Sequence, residues 1–206
     1  MKKIYLEIVV FLCGAVVMAF EIIGSRMLGP YVGTSYVVWS AIIGIILLSL
    51  SLGYFTGGRL ADRKPKPDLL SLIIFIAGLF ILGTALIKDI LLTFLLNTVE
   101  SVKVVSVLSS ALLFVPAAFL LGMVSPFAAR LKMRSVEYSG RTVGNLYALS
   151  TMGSIAGVFL AGFYLIPAFR ITTILCLFAA LLVLVSLLVI SVRPKTPDAT
   201  DNEKHE

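Results

Sequence analysis

Apolar runs about 20 residues long or longer recur along the whole chain, separated only by short polar connections. A helix rises about 1.5 Å per residue, so each run is long enough to cross a hydrocarbon core of about 30 Å. The 206 residues are 59% hydrophobic and 14% charged, against the roughly 25% charge of a water-soluble domain. There are too few polar side chains to cover a globule of this size. The sequence therefore predicts an all-α, polytopic membrane helix bundle, with no room for a separate soluble domain.

The first predicted span runs from Ile4 to Leu28 and stops at Gly29-Pro30. A short loop, Tyr31 to Tyr36, leads to a second span, Val37 to Ala61. The proline-rich connection Asp62 to Asp68 precedes a third, Leu69 to Ile87. Lys88 to Lys103 fits two forms equally, a continuation of that helix or a short interfacial one. A fourth span, Val104 to Ala129, is interrupted by Pro116 and Pro126. The basic connection Arg130 to Arg141 allows a Glu137/Arg141 pair on a short surface helix. The fifth and sixth spans are Val143 to Ile166 and Ile171 to Val192. Residues 1–192 thus form the membrane domain, and 193–206 a polar, disordered cytoplasmic tail. The N-terminal run is longer than a signal peptide, contains Glu21 and lacks a small-x-small cleavage site, so it reads as a retained span.

Six spans put all 17 Lys and Arg on one side except Arg26, Lys88, Lys103 and Arg170. By the positive-inside rule both termini and both basic loops lie in the cytoplasm, and the expected location is the inner (plasma) membrane. The net charge of +6 belongs to these loops and suits anionic lipid headgroups rather than nucleic acid. Cys13 and Cys176 fall inside spans and are not expected to form a disulfide. His205, the one histidine, lies in the tail, which removes histidine metal sites and histidine bases from the core. No cofactor is expected.

Small residues mark helix faces that can approach closely. Ser49, Gly53, Gly57 and Ala61 recur at steps of four in the second span. Gly140, Gly144 and Ala148, then Gly153, Gly157 and Ala161, do so in the fifth. Packing inside one bundle and a sliding or dimerising surface both account for them. If the chain is two units of three helices, these spans occupy matching places, and the ends Gly24–Pro30 and Gly122–Pro126 look alike. A 3+3 inverted repeat of this kind builds each half of a major facilitator transporter. Gly57-Gly58-Arg59-Leu60-Ala61-Asp62-Arg63-Lys64 resembles that superfamily's loop signature, G-x-L-x-D-R-x-G-R-[RK], with Pro65 in place of the later glycine. The resemblance implies that Arg59, Asp62 and Arg63 take part in a cytoplasmic gate; an ordinary positive-inside loop is the alternative.

Glu21 is the acidic group deepest in a span. A charge near a helix centre costs roughly 2.5–3.5 kcal/mol on insertion scales, so it points to function. Regular helical spacing keeps Glu21 and Arg26 about 140° apart. Glu21 is therefore expected to face the bundle interior or an outward-open cavity, to bind a cation or carry a proton; a structural partner for Arg26 or a backbone amide is the alternative. Tyr31, Tyr36, Trp39 and Tyr54 offer cation–π contacts or an interfacial aromatic belt. Asn145, Tyr147, Ser150, Thr151 and Ser154 make the start of the fifth span polar, for interhelical hydrogen bonds or for a hydrophilic pocket. Glu7, one turn inside the basic edge, is assigned no role.

The run Glu21 to Ser35, then Trp39, then Gly53 to Arg63, resembles the membrane part of spermidine synthase-like proteins. Their pattern there is E-x-x-x-x-R-x-x-x-P-x-x-G-x-S, a tryptophan, then G-Y-x-x-G-G-R-x-A-D. Gly122 to Phe127 and Gly144 to Ser154 resemble it too, so the likeness covers about residues 5 to 190. In that family the membrane part is often joined to a Rossmann-like aminopropyltransferase. No glycine-rich nucleotide motif occurs here and the chain ends after the last span, so the catalytic domain is expected to be absent and the chain not to be an enzyme. The expected function is that of a half-size transporter working as a homodimer on a polyamine or other organic cation. The candidate binding residues are Glu21, Arg26, Tyr31, Trp39, Tyr54, Asn145 and Tyr147. The alternative is a non-transporting scaffold for a cytoplasmic polyamine-synthesis enzyme; a lipid-acting enzyme is disfavoured by the lack of core histidine and clustered acids.

Overall fold

A computed structural model describes residues 4–133 and 139–192. The tail after Val192 and the Glu137/Arg141 pair lie outside the described residues. Six helices are long and apolar enough to cross a bilayer, with no strand among the described residues. The chain is a multi-pass, all-α membrane protein.

Helix α1, Ile4–Val32, runs past the expected stop at Gly29-Pro30. Pro30 removes only one hydrogen bond in the final turn, beside the exposed Arg26. The chain turns at Gly33, whose φ of +82° suits a residue without a Cβ. Helix α2 spans Tyr36–Arg63. Helix α3, Pro67–Thr98, begins with proline at its first turn, where a missing N–H costs nothing. It continues unbroken through Lys88, so this stretch is the end of the third helix rather than a separate interfacial one. Helix α4, Val102–Lys132, passes through both Pro116 and Pro126. Helix α5 runs Ser139–Leu160 as regular α-helix, widens into a π turn at Ala161–Leu165, and ends at Ile166–Ala168. Pro167, which has no N–H to donate, lies just beyond the π turn. Helix α6 is Ile171–Ser191.

The main pairings are α2 with α4, α1 with α5, and α3 with α6; α3 also packs on α4 and α1 on α6. Exchanging the first three helices for the last three leaves this pattern unchanged. The first two pairings have matching close contacts. In one, Gly53 faces Phe119, Gly57 faces Met123, and Gly122 faces Leu50. In the other, Gly153 faces Phe11, Gly157 faces Ala15, and Gly14 faces Ser150. A Cβ on any of these glycines would collide with the facing helix backbone. Contact this close lets dispersion hold helices together where lipid supplies no hydrophobic drive. The register matches Gly14, not Gly24, with Gly122. Gly24 instead makes room for the Phe114 ring, so the likeness of Gly24–Pro30 to Gly122–Pro126 does not mark equivalent positions.

Along α3 and α6 the Ser71 hydroxyl lies 2.9 Å from the Ser186 carbonyl oxygen and 2.8 Å from the Ser186 hydroxyl. Thr84 donates to the Leu113 carbonyl of α4 at 3.0 Å. Both bonds are buried, satisfying polar groups that hydrocarbon cannot.

If the two glycine crossings hold the bundle, Gly53→Val and Gly153→Val should each destabilise it by about 1–3 kcal/mol through overpacking. Gly83→Val, where a Cβ meets no atom within 4 Å, should change stability by less than about 0.5 kcal/mol. Reversible unfolding in mixed micelles checks both.

Candidate functional site

Four helices, α1, α2, α4 and α5, converge on a cavity of about 210 Å³. Cys13, Gly14, Val17 and Met18 line it from α1, and Leu47, Leu50 and Tyr54 from α2. Leu121 and Ser125 of α4 and Ser150 and Ser154 of α5 complete the wall. The crossings explain its position. Cys13 and Val17 stand in α1 as Leu121 and Ser125 do in α4, and Leu50 and Tyr54 stand in α2 as Ser150 and Ser154 do in α5. The cavity thus lies between the α1–α5 and α2–α4 crossings.

Its polarity is uneven. Apart from Leu121, the α4 and α5 positions are serines, whereas the counterparts of those serines are Val17, Leu50 and Tyr54. The Ser125 and Ser150 hydroxyls are 3.5 Å apart, and Ser154 donates to the Gly14 carbonyl at 3.2 Å. Four hydroxyls therefore face an otherwise apolar space with no charged group in its wall.

Glu21 supplies the nearest formal charge along α1. At 100° per residue it shares a side of the helix with Gly14, Val17 and Met18, about one turn beyond Met18. Its Oε2 is buried with no hydrogen-bond partner, a state shared among the described residues only by the Ser110 hydroxyl. Buried polar atoms are nearly always paired, so this carboxylate oxygen sets Glu21 apart from the other polar groups of the bundle. The register that sets Ala15 against Gly157 carries Glu21 level with the π turn of α5, which packs against α1. Beside Glu21, Phe20 meets Phe114 edge-on, with ring centroids 5.0 Å apart, sealing α1 against α4.

The other sequence candidates scatter. Arg26 is exposed and makes no ion pair with Glu21. The Tyr31 hydroxyl donates to Asp89 at 2.9 Å, and Lys88 donates to the same carboxylate at 2.6 Å. Tyr31 therefore ties the end of α1 to α3. Trp39 and Tyr36 are exposed at the start of α2. Asn145 is exposed on α5 and does not line the cavity. Tyr147 is also outside the wall, exposed on α5.

At the basic end, Asp62 pairs with Arg130 Nε at 2.9 Å, joining α2 to α4. Arg59 stacks on Phe55, its guanidinium carbon 3.8 Å from the ring centroid, and Arg63 is exposed, with no ion pair among the described residues. Glu7 pairs with Lys132, joining α1 to α4. Sequence reasoning missed Glu7, Arg130, Lys132, Lys88 and Asp89. Lys88 had a legible signal: it continues the inward face of α3 marked by Ile74, Ala77, Ile81 and Thr84.

No family model matches this chain, and neither curated proteins nor solved structures give a match.

A polar cavity and a lipid groove differ in access to water. Starting from protein with Cys13→Ala and Cys176→Ala, Ser150→Cys should react with a small charged thiosulfonate at least tenfold faster than Leu184→Cys. Leu184 lines the apolar groove between α3 and α6. Equal rates would mean that the cavity is closed to water.

Proposed function

We propose that the chain is a half-size, major-facilitator-like transporter for a small organic cation, a polyamine in the first instance, with two copies forming the working unit. The observation that carries this reading is the hydroxyl-lined cavity together with Glu21 about one turn beyond it. The carboxylate attracts the ammonium group. The apolar wall of Val17, Met18, Leu47 and Leu50 accommodates a methylene chain, and Tyr54, Ser125, Ser150 and Ser154 offer hydrogen bonds to a further amino group. An intramembrane carboxylate without a protein partner is what a cation or proton path requires.

Two further features support a transporter. The matched crossings of α1 with α5 and α2 with α4 agree with the 3+3 inverted repeat expected from the sequence. Asp62 and Arg130 form a contact that can open as the basic ends of α2 and α4 part, in keeping with a gate there. Their side chains are 70% and 45% exposed, so the pair contributes at most about 1 kcal/mol and can break without large cost. In this reading the basic end and both termini face the cytoplasm.

Labelled putrescine and spermidine should enter proteoliposomes saturably, and a pH gradient should alter the rate. Glu21→Gln should lower uptake at least tenfold while leaving the folded fraction unchanged; uptake equal to wild type would remove Glu21 from the path. No flux of either amine by folded protein would favour the scaffold, which a stable complex with an aminopropyltransferase would then support.

A further inference from the structure

We propose that the π turn of α5, Ala161–Leu165, is a hinge about which the end of that helix away from the basic loops swings, opening and closing the approach to Glu21. What the swing admits rests on the transport reading above; the swing itself does not.

The main chain is least braced at this turn, the one π turn among the described residues. Ile166 donates its N–H to the Ala161 carbonyl, five residues back, and so is lost to Gly162, its ordinary acceptor. The wider spacing would give Gly162 the donor at position 167, but Pro167 has no N–H. Phe163 loses its ordinary donor to the same proline. Regular bonding resumes where Phe169 donates to the Leu165 carbonyl at 2.9 Å. Two successive carbonyls thus lose the bonds that stiffen a helix. Proline alone does not have this effect, since Pro116 and Pro126 sit in unbroken α-helix in α4. Depth makes the loss bearable. Ala161 lies about 33 Å along α5 from Ser139, so the freed carbonyls fall toward the edge of a core of about 30 Å. Water can serve them there, and bending the turn breaks little further.

Packing divides α5 at the same point. Before the turn, Gly153 and Gly157 press on the backbone of Phe11 and Ala15, and Ala161 is fully buried. Beyond it, Phe163 and Tyr164 are 68% and 69% exposed, and a Cβ at Gly162 would meet nothing within 4 Å. Leu165 and Ile166 rest against the core while only partly buried. A clamped length of helix therefore meets a loosely held one at a turn with missing bonds, which is what a hinge requires. Phe159 stacks on Phe163 across the junction, with ring centroids 5.5 Å apart. Both rings are exposed, so they can part without disturbing the core. Position gives the movement its consequence. Glu21 is level with the π turn, the turn packs against α1, and Glu21 itself is only partly buried. Swinging the end of α5 away from α1 uncovers the carboxylate at the end of the bundle opposite the Asp62–Arg130 contact.

Distances between paired spin labels test the hinge in full-length protein with Cys13→Ala and Cys176→Ala, held in phosphatidylcholine–phosphatidylglycerol nanodiscs. One pair, Tyr164→Cys with Ile90→Cys, relates the far end of α5 to α3. The other, Met152→Cys with Leu79→Cys, relates the same two helices before the turn. All four positions are exposed. The Tyr164 pair should give a distance distribution about twice as wide as the Met152 pair, since a hinge moves only what lies beyond it. Deleting Gly162 together with Pro167→Ala removes the extra residue and restores a donor, so that a regular helix can form. That variant should narrow the Tyr164 distribution to the width of the other, with circular dichroism like wild type. Pro167→Ala alone, which leaves every residue in place, should narrow it in part. Equal widths for the two pairs in wild type would overturn the inference, as would a Tyr164 distribution that neither variant narrows. An end that swings in protein carrying no amine leaves the hinge standing and rejects the transport reading; an end held fixed in protein that carries one does the reverse.

Discussion

Backbone-to-backbone approach across two helix crossings organises this molecule. Apolar side chains gain nothing by leaving lipid for another apolar surface, so helices associate through dispersion and short-range polar contact, both of which need close approach. Gly14 and Gly153 with Gly157 provide it between α1 and α5, and Gly122 and Gly53 with Gly57 between α4 and α2. The same contacts fix the cavity. Once those helices touch at these points, Val17, Tyr54, Ser125, Ser150 and Ser154 have to line the space between them. Packing and site are consequences of one set of glycines.

Most of the fold is legible in the sequence because lipid imposes a simple rule. Six long apolar runs became six helices, and the step-four glycines of the second span meet α4 as packing residues. The proline punctuation misleads. Pro30, Pro116 and Pro126 stop or kink helices in water, but here they sit inside α1 and α4. Extended backbone is costlier in lipid than one lost hydrogen bond, so the helix continues. Lys88 stays on the third helix, one of the two forms its sequence allows. The fifth-span glycines divide in a way spacing alone does not reveal: Gly153 and Gly157 meet α1, while Gly140 and Gly144 face open space.

The site is legible only in part. Glu21 stands out because a carboxylate among apolar residues needs a reason; Ser150, Ser154 and Tyr54 line the cavity, and Ser154 also bonds across to α1. Tyr31 illustrates the limit. Its closeness to Glu21 in sequence suggested a shared pocket, yet its hydroxyl turns to Asp89 on α3. Glu7 looked dispensable at the edge of the membrane, and Lys132, far along the chain, gives it a partner. Long-range ion pairs leave no periodic trace, so only the folded chain reveals them.

The length of α3 has a consequence of its own. Its 32 residues extend about 48 Å, well beyond a typical hydrocarbon thickness of about 30 Å. Lys88 and Asp89 fall late in it, with apolar Leu91, Leu92, Phe94 and Leu95 following. Such a helix has to lean, thicken the surrounding bilayer or stand proud of it, each at a modest cost per ångström of mismatch. Helix α4, at 31 residues, is nearly as long, so the same adjustment to membrane thickness falls on the two helices that pack together. The hydrogen bond from Tyr31 to Asp89 joins this late part of α3 to the end of α1, the helix that carries Glu21.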